Sequence, residues 1–108
     1  MATYEFDAPL WRWQARASDV WTFVSLPEAL SDEVLELGEP YARGFGSLRV
    51  EATVGDTVWR TSIFPDSGRR AYVLPVKRAV RDAEGLTLGE PAHVRLRLID
   101  VEPRRRRA

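Results

Sequence analysis

Apolar residues occupy every second position before Gly55-Asp56 and share the alternate positions with threonine after it, and that stretch restricts the fold more than any other part of the 108 residues. Leu48, Val50, Ala52 and Val54 alternate with Arg49, Glu51 and Thr53, and the pattern resumes through Trp59 and Ile63 beyond a pair suited to a two-residue hairpin loop. A loop that short allows one register. Val54 faces Thr57, Ala52 faces Trp59, Val50 faces Thr61 and Leu48 faces Ile63, all on the core side. Glu51 then falls opposite Arg60 on the other face, where an opposite-charge pair adds a few tenths of a kcal/mol up to about 1. Hydrophobic pattern and charge select the same register, so an antiparallel sheet with one buried face is expected.

Upstream, Tyr4, Phe6, Ala8 and Leu10 alternate on one face, and the apolar phase shifts after Pro9 to Trp11 and Trp13, which predicts a bulge or bend. Residues 19–24 read as a strand with Trp21 and Phe23 on one side, Val20, Thr22 and Val24 on the other, and both sides partly buried. Ser25-Leu26-Pro27-Glu28 fits a capping box. It predicts a helix with Ser25 as N-cap, an amphipathic face through Ala29, Leu30, Val34 and Leu37, and an end at Gly38 and Pro40. Pro65-Asp66-Ser67-Gly68 reads as a turn with a left-handed glycine, followed by a strand from Ala71 to Leu74 that Pro75 closes. From Val76 the spacing becomes helical, with Val76, Ala79, Val80 and Ala83 on one face, Lys77, Arg78 and Arg81 in solvent, and Gly85 at the end. A last strand after Pro91 turns Val94, Leu96 and Leu98 inward and His93, Arg95 and Arg97 outward. Six strands and two short helices predict a mainly β fold, a small six-stranded closed or double-split β-barrel. One domain is expected over residues 1–102, followed by a disordered basic tail over 103–108.

The chain has no cysteine and one histidine, His93. Disulfides, thiolate catalysis and Cys-ligated metals are thereby excluded, and neither a metal site nor a cofactor is expected. Ser62 as a nucleophile would need His93 as its base, and no phosphate-loop, nucleophile-elbow or zinc-protease motif is present, so no catalytic residue is assigned. Glu5 and Asp7 interrupt the apolar residues of the N-terminus, and no apolar run approaches a membrane span. A cytoplasmic location with no membrane partner is the expectation. Residues 1–66 hold 11 acidic and 5 basic side chains while residues 67–108 hold 5 and 11, which marks either mutual attraction of the two halves or an anion-facing surface.

Gly44-Phe45-Gly46-Ser47-Leu48-Arg49-Val50, Trp59-Arg60-Thr61-Ser62-Ile63-Phe64-Pro65 and Tyr72-Val73-Leu74-Pro75-Val76-Lys77, with Val80-Arg81, form a recognisable string. Together with Phe6, Ala8, Trp11 and Leu26-Pro27, they resemble the domain-of-unknown-function family nineteen-oh-five over nearly the whole chain. The resemblance implies a six-stranded barrel similar in topology to the double-split barrels of AbrB-type regulators. Many members also carry a helical domain of the YdeI/OmpD-associated, bacteriocin-protection type, which is not read in these residues. Where the family tends to have Gly-Asp before the last strand, this chain has Gly89-Glu90.

Five residues are the ligand-binding candidates: Trp59, Thr61, Tyr72, Lys77 and Arg81. Trp11, Trp13, Trp21 and Trp59 are expected mostly to fill the core, yet a barrel lined by such rings can also enclose an aromatic or apolar ligand. Thr61 faces inward, where its hydroxyl is expected to satisfy a neighbouring backbone group or, alternatively, a ligand. Lys77 and Arg81, four apart, form a like-charge pair that an anion at the helix start would relieve; Arg78 paired to Asp82 on a solvated face is the plainer arrangement. These features predict a non-catalytic barrel module binding a small apolar, aromatic or anionic ligand or a protein partner. A DNA-binding regulator, drawn from the barrel resemblance and the basic C-terminal half, is the alternative, followed by an enzyme of unknown reaction.

Overall fold

The structure, a computed structural model, describes residues 3–16, 19–66 and 68–101. Its strands are β1 (Thr3–Arg16), β2 (Asp19–Ser25), β3 (Leu48–Val54), β4 (Thr57–Asp66), β5 (Ala71–Pro75) and β6 (Pro91–Leu98); the helices are α1 (Glu28–Gly38) and α2 (Arg78–Glu84). All strand pairings are antiparallel, and they close a six-stranded barrel in the order β1-β2-β5-β4-β3-β6.

The β3–β4 hairpin has the register that its two-residue loop demands, from Val54 opposite Thr57 to Leu48 opposite Ile63, with Glu51 opposite Arg60. Gly55 supplies a positive φ of 57°. Leu48, Val50, Ala52 and Ile63 are buried, as the alternation requires. Glu51 serves two cations, Arg60 at 3.8 Å and Arg97 of β6 at 3.1 Å.

β1 corrects the expected bulge after Pro9. Its inward side runs unbroken through Tyr4, Phe6, Ala8 and Leu10, and the register shift falls later, between Gln14 and Arg16. At Pro9, opposite Pro91, β1 ends its pairing with β6, and from Leu10 it pairs with β2; two residues without an N–H are tolerated at that junction. Beyond it Arg12 is exposed, and the apolar side chains Trp11 and Trp13 lie on the outer wall opposite Phe23 and Trp21. The apparent phase slip is therefore a change in which face carries apolar side chains. Of the four tryptophans, Trp59 alone is core, at 8 % exposure, whereas Trp13 and Trp21 are 48 % and 54 % exposed.

Aliphatic side chains fill the barrel instead. Val24, Leu48, Val50, Ile63, Leu74, Val94, Leu96 and Leu98 are essentially inaccessible, each stabilising the fold by about 1.5–3 kcal/mol relative to exposure. α1 covers one end through buried Val34, and α2, reached after β5, covers the other through Val80. The capping box is not formed: Pro27 is the N-cap, and Ser25 ends β2, where its Oγ accepts from Trp11 Nε1 at 2.9 Å. Ser31 ties α1 to β5, its Oγ accepting from Tyr72 N at 3.1 Å and donating to Leu26 O at 3.3 Å. In the turn after β4 the left-handed residue is Arg70, φ 52°, rather than Gly68, whose N–H donates to Asp66 Oδ1 at 3.1 Å. α2 begins at Arg78, later than the spacing from Val76 suggests; Val76 is buried from extended chain, Ala79 and Ala83 are exposed, and Gly85 closes the helix with φ 62°. The tail over 103–108 lies outside the described residues.

Two measurements check this framework. Gly55→Val should cost more than about 1 kcal/mol in urea unfolding, because a Cβ there both strains a positive φ and collides with the Glu84 carboxylate. Glu51→Arg should cost about 1 kcal/mol, and adding Arg60→Glu should recover only part of the loss, since Arg97 still faces an arginine; zero coupling in that double-mutant cycle would contradict the register.

Candidate functional site

β5 is the shortest strand, and its early end makes the site. Pairing of β2 with β5 stops at Phe23–Pro75, so residues 19–22 of β2 and the first half of β4 have no strand between them. Extended chain after Pro75 crosses that gap, held by Val76 N donating to Thr22 O at 2.8 Å, before α2 starts at Arg78. A cleft of about 400 Å³ remains, with Thr22 and Trp21 on one side, Trp59 and Thr61 on the other, and Lys77 and Arg81 between them.

Four of the five sequence candidates thus converge. Arg60 and Arg78 also line the cleft, and among the described residues no carboxylate does. Glu51 draws on Arg60 at 3.8 Å and Asp82 on Arg78 at 3.6 Å, the second pair being the expected helix-surface pair and mostly exposed, hence weak. Among the described residues Lys77 and Arg81 have no acidic partner. Arg81 also corrects its expected solvent position: it is half-buried, and its Nε is buried with no hydrogen-bond partner among the described residues. A buried donor on a charged group costs free energy unless something accepts from it. Thr61, expected to satisfy a neighbouring backbone group, makes no side-chain hydrogen bond among the described residues and lines the same cleft.

Tyr72 stands apart. It is buried beneath α1 beside a second depression that includes Ser31 and Asp32, and burial, with the nearby Glu39 carboxylate adding to it, raises its phenol above the ordinary value. The clefts seen lie on the outside of the barrel, and rings that are buried in the core, such as Tyr4, Phe6 and Trp59, are packed among aliphatic side chains.

Ser62 and His93 are not partners. Ser62 faces Arg49 across β4–β3, next to the far end of β6, whereas His93 faces Asp7 on β1, roughly 20 Å away along the strand. His93 belongs to a charged ladder on the outer wall: its Nδ1 is 2.9 Å from Asp7 Oδ1, and Arg95 donates to Glu5 Oε1 from both Nε and Nη2. The bond to Asp7 raises His93 above its ordinary value, and the bond from Arg95 lowers Glu5.

Sequence reasoning did not anticipate a groove of about 480 Å³ on the outer wall, bounded by Trp11, Trp13, Trp21, Phe23 and Phe64. Trp11 and Phe23 pack with ring centroids 5.0 Å apart, Trp21 stacks on Phe23 at 6.2 Å, and the Arg69 guanidinium lies 3.7 Å over Trp11. The missed signal is parity. Trp11, Trp13, Trp21 and Phe23 all sit at positions opposite to the core-facing set of their strands.

A family model for a domain of unknown function (DUF1905) matches residues 6–96. The chain belongs to the DUF1905 family. The match runs from Phe6 of β1 into β6 and so includes both helices and the whole cleft, making the basic gap beside β5 part of the DUF1905 domain here. No match was found among curated proteins. No helix among the described residues is long and apolar enough to cross a membrane.

The ladder makes its own prediction. Because the folded state raises the His93 pKa, the stability that protonated His93 adds is present below its ordinary value of about 6.5 and is lost as pH rises through the folded pKa. An NMR titration should place the imidazole above that ordinary value, and Asp7→Asn should bring it down. An unchanged pKa in the variant would assign the shift elsewhere.

Proposed function

We propose that this barrel is a non-catalytic binding module whose ligand presents an anionic group to Lys77 and Arg81. The observation that carries the reading is the orphaned, buried Nε of Arg81 in a cleft lined by cations and no carboxylate. A phosphate or carboxylate oxygen there would accept from Arg81 and relieve the repulsion among Arg60, Lys77, Arg78 and Arg81. The Thr61 hydroxyl offers a further donor, and the indole of Trp59 walls the cleft. Neither imidazole nor carboxylate lines it, which are the groups that general acid–base chemistry most often uses, so holding a ligand is the role these residues suit. A cytoplasmic setting accords with a cysteine-free sequence of this size, since small secreted domains are commonly disulfide-rich.

Thermal unfolding at constant ionic strength, with chloride exchanged for phosphate, tests the reading. Phosphate at about ten times its dissociation constant should add about 1.4 kcal/mol, and a domain of this size gains roughly 4–8 °C per kcal/mol. The Lys77→Gln, Arg81→Gln double variant should lose that gain. Equal shifts in the two proteins would reject the site, because phosphate stabilises folded proteins generally by exclusion from their surfaces.

A further inference from the structure

Trp21 borders three depressions at once. It walls the basic cleft and the aromatic groove, and it also borders a third depression of about 310 Å³ that contains Arg49, Arg60 and Phe64. The three therefore form one continuous open trough, aromatic at one end and cationic at the other. Trp13, Trp21 and Phe64 are 48 %, 54 % and 39 % exposed along it. Among the described residues Arg49, Lys77 and Arg81 have no acidic partner, and Asp66, engaged by Arg69 at 3.5 Å, is the carboxylate that lines the trough.

The chemistry of such a surface selects its occupant. A small anion would use the cations and leave the rings bare, and an apolar ligand would do the reverse. Duplex DNA buries its base faces in its own stack and offers no ring to Trp21. A single-stranded nucleic acid offers a planar ring and an anion in every unit, and exposed aromatics beside a basic track are the means by which proteins hold it. The open form of the trough suits a polymer passing over it, since small ligands are usually enclosed over most of their surface. We infer that the trough centred on Trp21 binds single-stranded nucleic acid, bases stacking on Trp21, Trp13 and Phe64 and phosphates lying against Arg49, Lys77 and Arg81. This inference rests on the anion reading of the cleft and extends it.

The test uses the full chain with a labelled oligothymidylate of roughly ten nucleotides, within the range of single-strand site sizes, followed by anisotropy and by tryptophan fluorescence. The single strand should bind with quenching, and a duplex of the same length should bind about tenfold more weakly or worse. The log–log salt slope should be about −2, from roughly −0.7 per phosphate at three cations, and Lys77→Gln with Arg81→Gln should flatten it by about 1.4. Trp13→Ala, outside the basic cleft, should weaken the single strand by about fivefold or more while leaving the phosphate-induced thermal shift unchanged. Phe64→Ser, at another exposed position outside the cleft, provides the same readout should Trp13→Ala lower the folded yield. No single-strand binding alongside an intact phosphate shift would overturn this inference and leave the anion site standing. Absence of the phosphate shift from the unaltered protein would overturn both. Equal affinity for single strand and duplex, indifferent to the aromatic variants, would also overturn it, as simple attraction to charges such as Arg104–Arg107 then suffices.

Discussion

Closure of the barrel by β6 is the constraint on which the other features depend. β6 pairs with β1 through residues Thr3 to Pro9 and with β3 through Val50 to Thr53, which joins the first strand of the chain to the central hairpin. Each strand pairs on both sides over part of its length, which closes the barrel around the inward positions, while the stretches of β2 and β4 beyond the end of β5 have no strand between them. Ala8, Ala52 and Ala92 alternate with leucine, valine and isoleucine inside, and this mixture of small and large side chains fills a narrow interior without a ligand. A chain of this length has little core to lose, so an inward position that became polar would be felt throughout.

That enclosed interior moves the chemistry to the wall. Pro75 ends β5 while β2 and β4 continue, and the gap is bridged by the two extended residues Val76 and Lys77 and a short helix instead of a seventh strand. The same departure that shortens β5 carries Lys77 and Arg81 back over the barrel beside Trp59 and Thr61. Their convergence is thus a product of where pairing stops.

The outer wall divides into two chemical territories. On β1, β6 and β3 the outward residues include charges paired in register, Asp7 with His93, Glu5 with Arg95, and Glu51 with Arg97 and Arg60. On the distal part of β1, on β2 and at the end of β4 the outward residues are aromatic and only partly covered. An antiparallel sheet with one buried face needs only polar side chains outside. The aromatic territory is therefore not required by folding, and contiguous exposed rings of that kind mark interaction surfaces.

Much of the fold was legible because period-2 alternation and a two-residue turn act locally. The β3–β4 register, the inward set of β6, the left-handed Gly55 and Gly85, and a six-stranded barrel follow from nearest-neighbour sterics and from the need to bury one face of each strand. Local rules failed where a distant partner decided the outcome. Ser25 was read as a helix cap, but Trp11 on the adjacent strand takes its hydroxyl. The four tryptophans are expected mostly to fill the core, but pairing between β1 and β2 places Trp11, Trp13 and Trp21 on the wall. The residue types at 59, 61, 77 and 81 were visible as chemistry in the sequence, and Tyr72 was grouped with them. Only the tertiary structure brought the four together and set Tyr72 apart, because the end of β5 and the crossing of the gap after Pro75 depend on pairing with β2, which lies beyond α1 and the central hairpin in the chain.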